Sequence, residues 1–139
     1  MSTSDSPYLA ALQAAVAGEH AAVWASGRAA GEFGGRRQDA ARRELDEHRR
    51  TRDELRRQVA ALGADPVEAA AAYVEPFPVE GASGGRRLMA HVNSALAATY
   101  ADVAAASEPA ARREAVTRST AAAVRAIDWG AEPEAFPGG

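Results

Sequence analysis

The sequence predicts an all-α protein, a bundle of four helices. Three observations carry that expectation. Alanine accounts for 37 of the 139 residues, and alanine has the best helix propensity with no side-chain entropy to lose. The β-branched and aromatic residues that favour strands are few. Apolar residues recur at helical spacing in four separate stretches, punctuated by Gly and Pro. Large apolar side chains are scarce, so the core must come from close approach of Ala-lined backbones.

The first helix is expected over about 7–33. Ser6 suits the N-cap and Pro7 the first helical position, where a missing N–H costs nothing. Leu9, Leu12, Val16 and Val23 form its stripe, and Gly34-Gly35 ends it. The second helix is expected over 36–62, with Ala41, Leu45, Leu55, Val59 and Leu62 inward and Gly63 as terminator. Nine Arg and six acids alternate between Arg36 and Arg57. That pattern suits a solvated face with weak i,i+4 pairs better than a patch for phosphate or nucleic acid.

Residues 63–83 form a crossover. Asp65-Pro66-Val67-Glu68 has the form of a helix start, which predicts a short helix to about Tyr73. Glu75-Pro76-Phe77-Pro78-Val79 must then be extended, since each Pro restrains itself and its predecessor. The third helix is expected over 84–106, with Leu88, Val92, Leu96, Thr99 and Val103 inward. The fourth is expected over 109–129, with Val116, Thr120, Val124 and Ile127 inward. An irregular tail, 130–139, follows, pinned to the bundle by Trp129 or Phe136.

Short turns near 34 and 108 make two antiparallel hairpins. A 25-residue helix is ~37 Å long, and the 21 residues of the crossover reach ~65–70 Å when extended. The crossover can therefore start helix three at the far end of the bundle, which gives one long connection and a ferritin-like arrangement in a single domain. The alternative is up-down-up-down, with 63–83 packed locally.

Other classes fall away on composition. Every one of the 16 basic residues is Arg, and the net charge is −3, which argues against a dedicated nucleic-acid or membrane-surface protein. With no Cys, disulfides, thiolate metal sites and Cys nucleophiles are excluded. No run approaches the ~20 apolar residues of a membrane span, and the first residues lack a signal pattern. A soluble, cytoplasmic protein is expected.

Polar residues interrupt the apolar stripes. The series 9, 12, 16, 19, 23 puts Glu19 inward, and 41, 45, 48, 52, 55, 59 does the same for His48 and Arg52. The hairpin sets Glu19 level with residue 50, so Glu19 and His48 should meet at mid-height, with Arg52 one turn on. Three readings compete. Glu19 pairs with His48 or Arg52 and fixes the register of an Ala core. Glu19 and His48 are ligands of a metal ion. Or His48 is a base oriented by Glu19, which lacks a visible nucleophile or second acid. The structural reading leads, and catalysis comes last. Tyr100 belongs at the edge of the core with its hydroxyl partnered, Trp24 and Tyr73 are anchors, His91 is left ambiguous, and His20 is expected to be exposed and inert.

The segments Glu19-His20-Ala21-Ala22-Val23-Trp24, Glu47-His48-Arg49-Arg50-Thr51-Arg52-Asp53, Ala72-Tyr73-Val74-Glu75-Pro76-Phe77-Pro78-Val79, Ala98-Thr99-Tyr100-Ala101-Asp102 and Ala135-Phe136-Pro137-Gly138 resemble the DUF4439 family, small Ala-rich bacterial proteins of unknown function with a ferritin-like domain. The resemblance spans nearly the whole chain, and its most specific part is the Tyr…Pro-Phe-Pro-Val crossover. It implies a ferritin-like bundle, a homodimer and no established activity. The wider superfamily holds two metals with Glu on helices one and three and Glu-x-x-His on two and four. Glu19 and His48 match two of those positions. Leu45 stands where a Glu is required, with Glu44 one residue off and turned away. Helix three offers Asn93, and helix four no His and no inward Glu. The expectation is a non-catalytic binding or assembly module with a degenerate metal site and no cofactor. The alternative is a protein that binds one weakly held metal ion through Glu19 and His48. Membrane and nucleic-acid partners are not expected, and no small-molecule ligand is identified.

Overall fold

The computed structural model describes residues 6–131. Four helices account for most of them: α1 (Pro7–Ala30), α2 (Gly35–Ala61), α3 (Gly81–Ala106) and α4 (Pro109–Asp128), with no strand among the described residues. The tail beyond Ala131, including the expected anchor Phe136, lies outside the described residues.

Each helix begins and ends for a local reason. Ser6 caps α1, its hydroxyl accepting from the Leu9 amide, with Pro7 just inside. Pro109 occupies the same position in α4. Helix α1 stops at Ala30, three residues earlier than expected, because the Phe33 ring folds back into the core and stacks on Trp129 at 5.4 Å. Helix α3 begins three residues earlier than expected, at Gly81. Gly84 and Gly85 therefore lie inside it, where they admit neighbours rather than start the helix. A Cβ at 85 would stand 2.7 Å from the Phe33 ring, and one at 84 3.2 Å from the Val79 backbone.

Helix α1 touches both α2 and α3, and α4 packs on α3. Directions follow from which residues meet. Glu19 meets His48 and Gly27 lies beside Leu45, so α1 and α2 are antiparallel. Gly85 lies against Ala29 and Gly18 against Leu96, so α1 and α3 are antiparallel too. Ser119 bonds the Ala97 carbonyl and Arg125 bonds Asn93, which sets α4 antiparallel to α3. Helices α2 and α3 then run parallel, as only one long crossover allows.

The crossover, 62–80, contains no helix, which corrects the short helix expected to Tyr73. The Gln13 amide takes the Asp65 carbonyl (2.8 Å) and the Val67 N–H (2.9 Å), and His20 Nε2 lies 3.1 Å from the Val67 carbonyl. The Asp65 and Val67 carbonyls, which a helix would have used, and the Val67 N–H, which it would have left to a cap, are bonded to α1 side chains instead. Trp24 stacks on Tyr73 at 5.5 Å, and Arg28 bonds Glu75 and the Val79 carbonyl. Helix α1 is thus covered on its outer side as well, and His20 is buried rather than exposed and inert.

Helix α4 presents a different face from the one expected. Ala115, Ser119, Ala122 and Ala126 point inward, while Val116, Val124 and Ile127 are 49%, 51% and 41% exposed. Small residues let α4 lie close to α3, and that contact, not side-chain size, selects its buried face. Thr99 of α3 likewise sits at the rim, half-buried. No helix among the described residues is long and apolar enough to cross a membrane.

Candidate functional site

A polar cluster runs through the middle of this core. Glu19 is fully buried. Its Oε1 lies 2.7 Å from His48 Nδ1, and its Oε2 accepts from the Tyr100 hydroxyl at 3.1 Å. The other ring nitrogen, Nε2, lies 3.0 Å from Glu44 Oε2. Asn93, also fully buried, donates through Nδ2 to Glu44 Oε2 (2.9 Å) and to the Met89 carbonyl (3.0 Å). Trp129 Nε1–H donates to Glu44 Oε1 at 2.9 Å. Arg125 Nε donates to Asn93 Oδ1 at 2.9 Å. All four helices and the residue after α4 contribute.

The electrostatics follow from this geometry. Burial opposes a charge on His48, but the hydrogen bonds to Glu19 and Glu44, and their negative charges, outweigh it and lift the imidazole pKa to about 9. At neutral pH both ring nitrogens carry protons and donate. Burial also opposes ionisation of Glu44, yet hydrogen bonds from His48, Asn93 and Trp129 prevail and hold its carboxyl below the ordinary range. Burial, reinforced by the Glu19 charge, pushes the Tyr100 phenol far up, so it stays a neutral donor.

The structure brings Glu19, His48 and Tyr100 together. Arg52 it does not: the side chain is about a quarter exposed and bonds Asp53 at 3.0 Å. Glu44 is the main correction. It is buried, not turned away, because i and i+4 share a helix face and His48 is four residues on. Leu45, placed inward by the apolar pattern, is only half-buried. Glu44 supplies the second acid that the sequence reading lacked. Asn93, which stands where the superfamily has its helix-three Glu, belongs to the cluster through Glu44, and Arg125 and Trp129 join it without a mark in the apolar pattern. The i,i+4 spacing of Glu44 and His48 is a sequence signal for Glu44 alone.

A two-metal centre does not fit these residues. Helix α4 offers only Ala and Ser inward, helix α3 offers Asn93, and both nitrogens of His48 are committed to carboxylates. Among the described residues no group of three or more His, Asp or Glu is arranged to hold a metal ion.

A family model described as "Domain of unknown function (DUF4439)" matches residues 11–139. No curated protein matches the chain. Among solved structures, the chain is similar to a conserved hypothetical protein, rv2844, from Mycobacterium tuberculosis. The TM-score is 0.84 at 29% identity, over 88% of this chain and 94% of that one.

Proposed function

Since the chain belongs to the DUF4439 family, a domain of unknown function, we propose from its geometry that it is a single ferritin-like domain acting as a non-catalytic assembly module, a homodimer formed through the outer face of α4. Val116, Thr120, Val124 and Ile127 fall within an arc of about 80° on that helix. The exposed apolar side chains among them carry the proposal, since no other described residue covers them. Val116 and Val124 are equally spaced about Thr120. An antiparallel second copy therefore brings Val116 of one chain opposite Val124 of the other, the self-complementarity a two-fold interface needs.

The interior supports a non-catalytic reading. Each carboxylate oxygen of Glu19 and Glu44, and each nitrogen of His48, is engaged by another protein group. Such a cluster fixes the register of a core whose other positions are interchangeable Ala. A chain without Cys needs no oxidising compartment, which fits a cytoplasmic setting.

Analytical ultracentrifugation of the purified chain tests the pairing. A dimer at micromolar concentration is expected, converted to a helical monomer by Val116→Glu with Val124→Glu. A wild-type monomer would refute it. Stoichiometric metal in the purified protein, lost in Glu19→Ala, would overturn the non-catalytic reading.

A further inference from the structure

The end of the bundle where α1 turns into α2 and α4 finishes holds a cleft of about 610 Å³ whose walls include Arg36, Arg37, Glu44, Arg125, Asp128 and Trp129. Three guanidiniums meet two carboxylates there, and Glu44 shares the single positive charge of His48 with Glu19. Asp128 and the one carboxylate charge that His48 leaves uncancelled balance two of the three positive charges.

Arg125 is the informative residue. Three half-buried arginines are matched with carboxylates, Arg28 with Glu32 and Glu75, Arg52 with Asp53 and Arg118 with Glu54 and Glu114, whereas Arg56, which lies away from this cleft, is half-buried without an ion pair among the described residues. Arg125 forms no ion pair among the described residues. Its one hydrogen bond runs from Nε to the neutral amide oxygen of Asn93. That bond anchors the guanidinium by its inner edge, and its two terminal nitrogens make no hydrogen bond among the described residues. Helix α2 also begins at this cleft. Its N-cap, Gly34, makes no side-chain hydrogen bond, so the first-turn amides have no side-chain acceptor and add partial positive charge. Trp129 is a fixed wall, stacked on Phe33 and tied to Glu44 through Nε1.

We propose that this cleft binds a small phosphorylated molecule. Arg36, Arg37 and Arg125 hold the phosphate together with the α2 amides, and the organic part lies against Trp129. Guanidinium forks match phosphate oxygens bidentately, and helix N-termini favour the same group. The volume lies within the ~300–1,000 Å³ of small-molecule sites and far exceeds that of a bare ion. None of the four residues of the proposed pairing face lines the cleft, and repeating the titration on the Val116→Glu/Val124→Glu variant separates the two readings.

Calorimetric titration of the full chain with phenyl phosphate and with inorganic phosphate, at constant ionic strength, tests the proposal. One saturable site per chain is expected, tighter for phenyl phosphate. Losing one charge-assisted contact should weaken it roughly tenfold or more in Arg125→Gln. The double variant Arg36→Gln/Arg37→Gln, altered only at exposed positions, should weaken it likewise and decides the matter if Arg125→Gln does not fold. Arg87→Gln, in a neighbouring groove beside Phe77 that shares Trp129 with the cleft but none of its arginines, should leave binding unchanged. Absence of saturation for both probes, or an equal loss in Arg87→Gln, overturns it.

Discussion

Trp129, the residue after α4, donates its indole N–H to Glu44 near the start of α2 across 2.9 Å. This bond ties the end of the last helix to the buried polar chain. The same ring stacks nearly parallel on Phe33, 3° from coplanar. Trp129→Phe keeps an aromatic stack but leaves Glu44 Oε1 without its donor. A loss of about 1–2 kcal/mol is expected, measured as a lower urea midpoint with unchanged m. An unaltered midpoint would show that water replaces the indole.

Glu19→Ala removes the acceptor of both His48 Nδ1–H and the Tyr100 hydroxyl, each buried. Two orphaned donors at mid-core should cost ~1–3 kcal/mol, read in thermal unfolding. Loss of the Glu19 charge should also lower the imidazole pKa, which titration of the His48 ring by NMR would follow. A variant as stable as wild type would deny the cluster its register role.

The pH dependence has a definite sign. His48 titrates near 9 when folded, against 6.5 for the free imidazole. Its contribution is fully present below about pH 6.5 and is lost as pH rises through about 9. The amount is on the order of 3 kcal/mol at most. Glu44 is shifted the other way: its contribution is present above its ordinary value of 4.5 and disappears as pH falls through its lower folded value. Denaturant melts across pH 5–10 should show a plateau below about pH 6.5, a decline from there to about 9 and little further change beyond it. A flat profile between about pH 6.5 and 9 would contradict a protonated His48.

Gly85→Ala places a Cβ 2.7 Å and 2.8 Å from two Phe33 ring carbons. The ring cannot swing freely because Trp129 lies on it. Overpacking of this kind costs ~1–3 kcal/mol, more than the helix-propensity gain of about 1 kcal/mol from replacing Gly. Gly18→Ala is a useful contrast. Its 2.9 Å contact is with Leu96 Cδ2, the far end of a flexible side chain, so a smaller loss is expected. Equal melting temperatures for the two variants would argue against Phe33 being held in place.

Much of this architecture is legible in the sequence, and the exceptions share a cause. Helix spacing and crossover length lead to the two hairpins, and the hairpin register brings Glu19 to His48. The phase of a helix is harder to read where alanine dominates. On α4, Ala115, Ala122 and Ala126 are buried while larger Val116, Val124 and Ile127 are not; backbone proximity sets the inner face there, and the apolar pattern does not record it. The same one-residue error turned Glu44 outward in favour of Leu45. Asn93, Arg125 and Trp129 join through tertiary hydrogen bonds alone. The crossover departs for a related reason: Asp65-Pro66 favours a helix locally, but Gln13 and His20 claim backbone groups there from 47 to 54 residues away.

That strap along α1 bears on how the chain assembles. Each hairpin is stitched by neighbours in sequence and can form early, whereas 64–80 gains partners only once α1 exists to receive it. Its tether points, Gln13, His20 and Arg28, lie in the N-terminal hairpin, while Val74 between them is 90% exposed. A single protease cut beside Val74 would leave most of the fastening intact on either side. The two halves should then stay together as a nicked but folded pair, and separately made halves should find one another in solution.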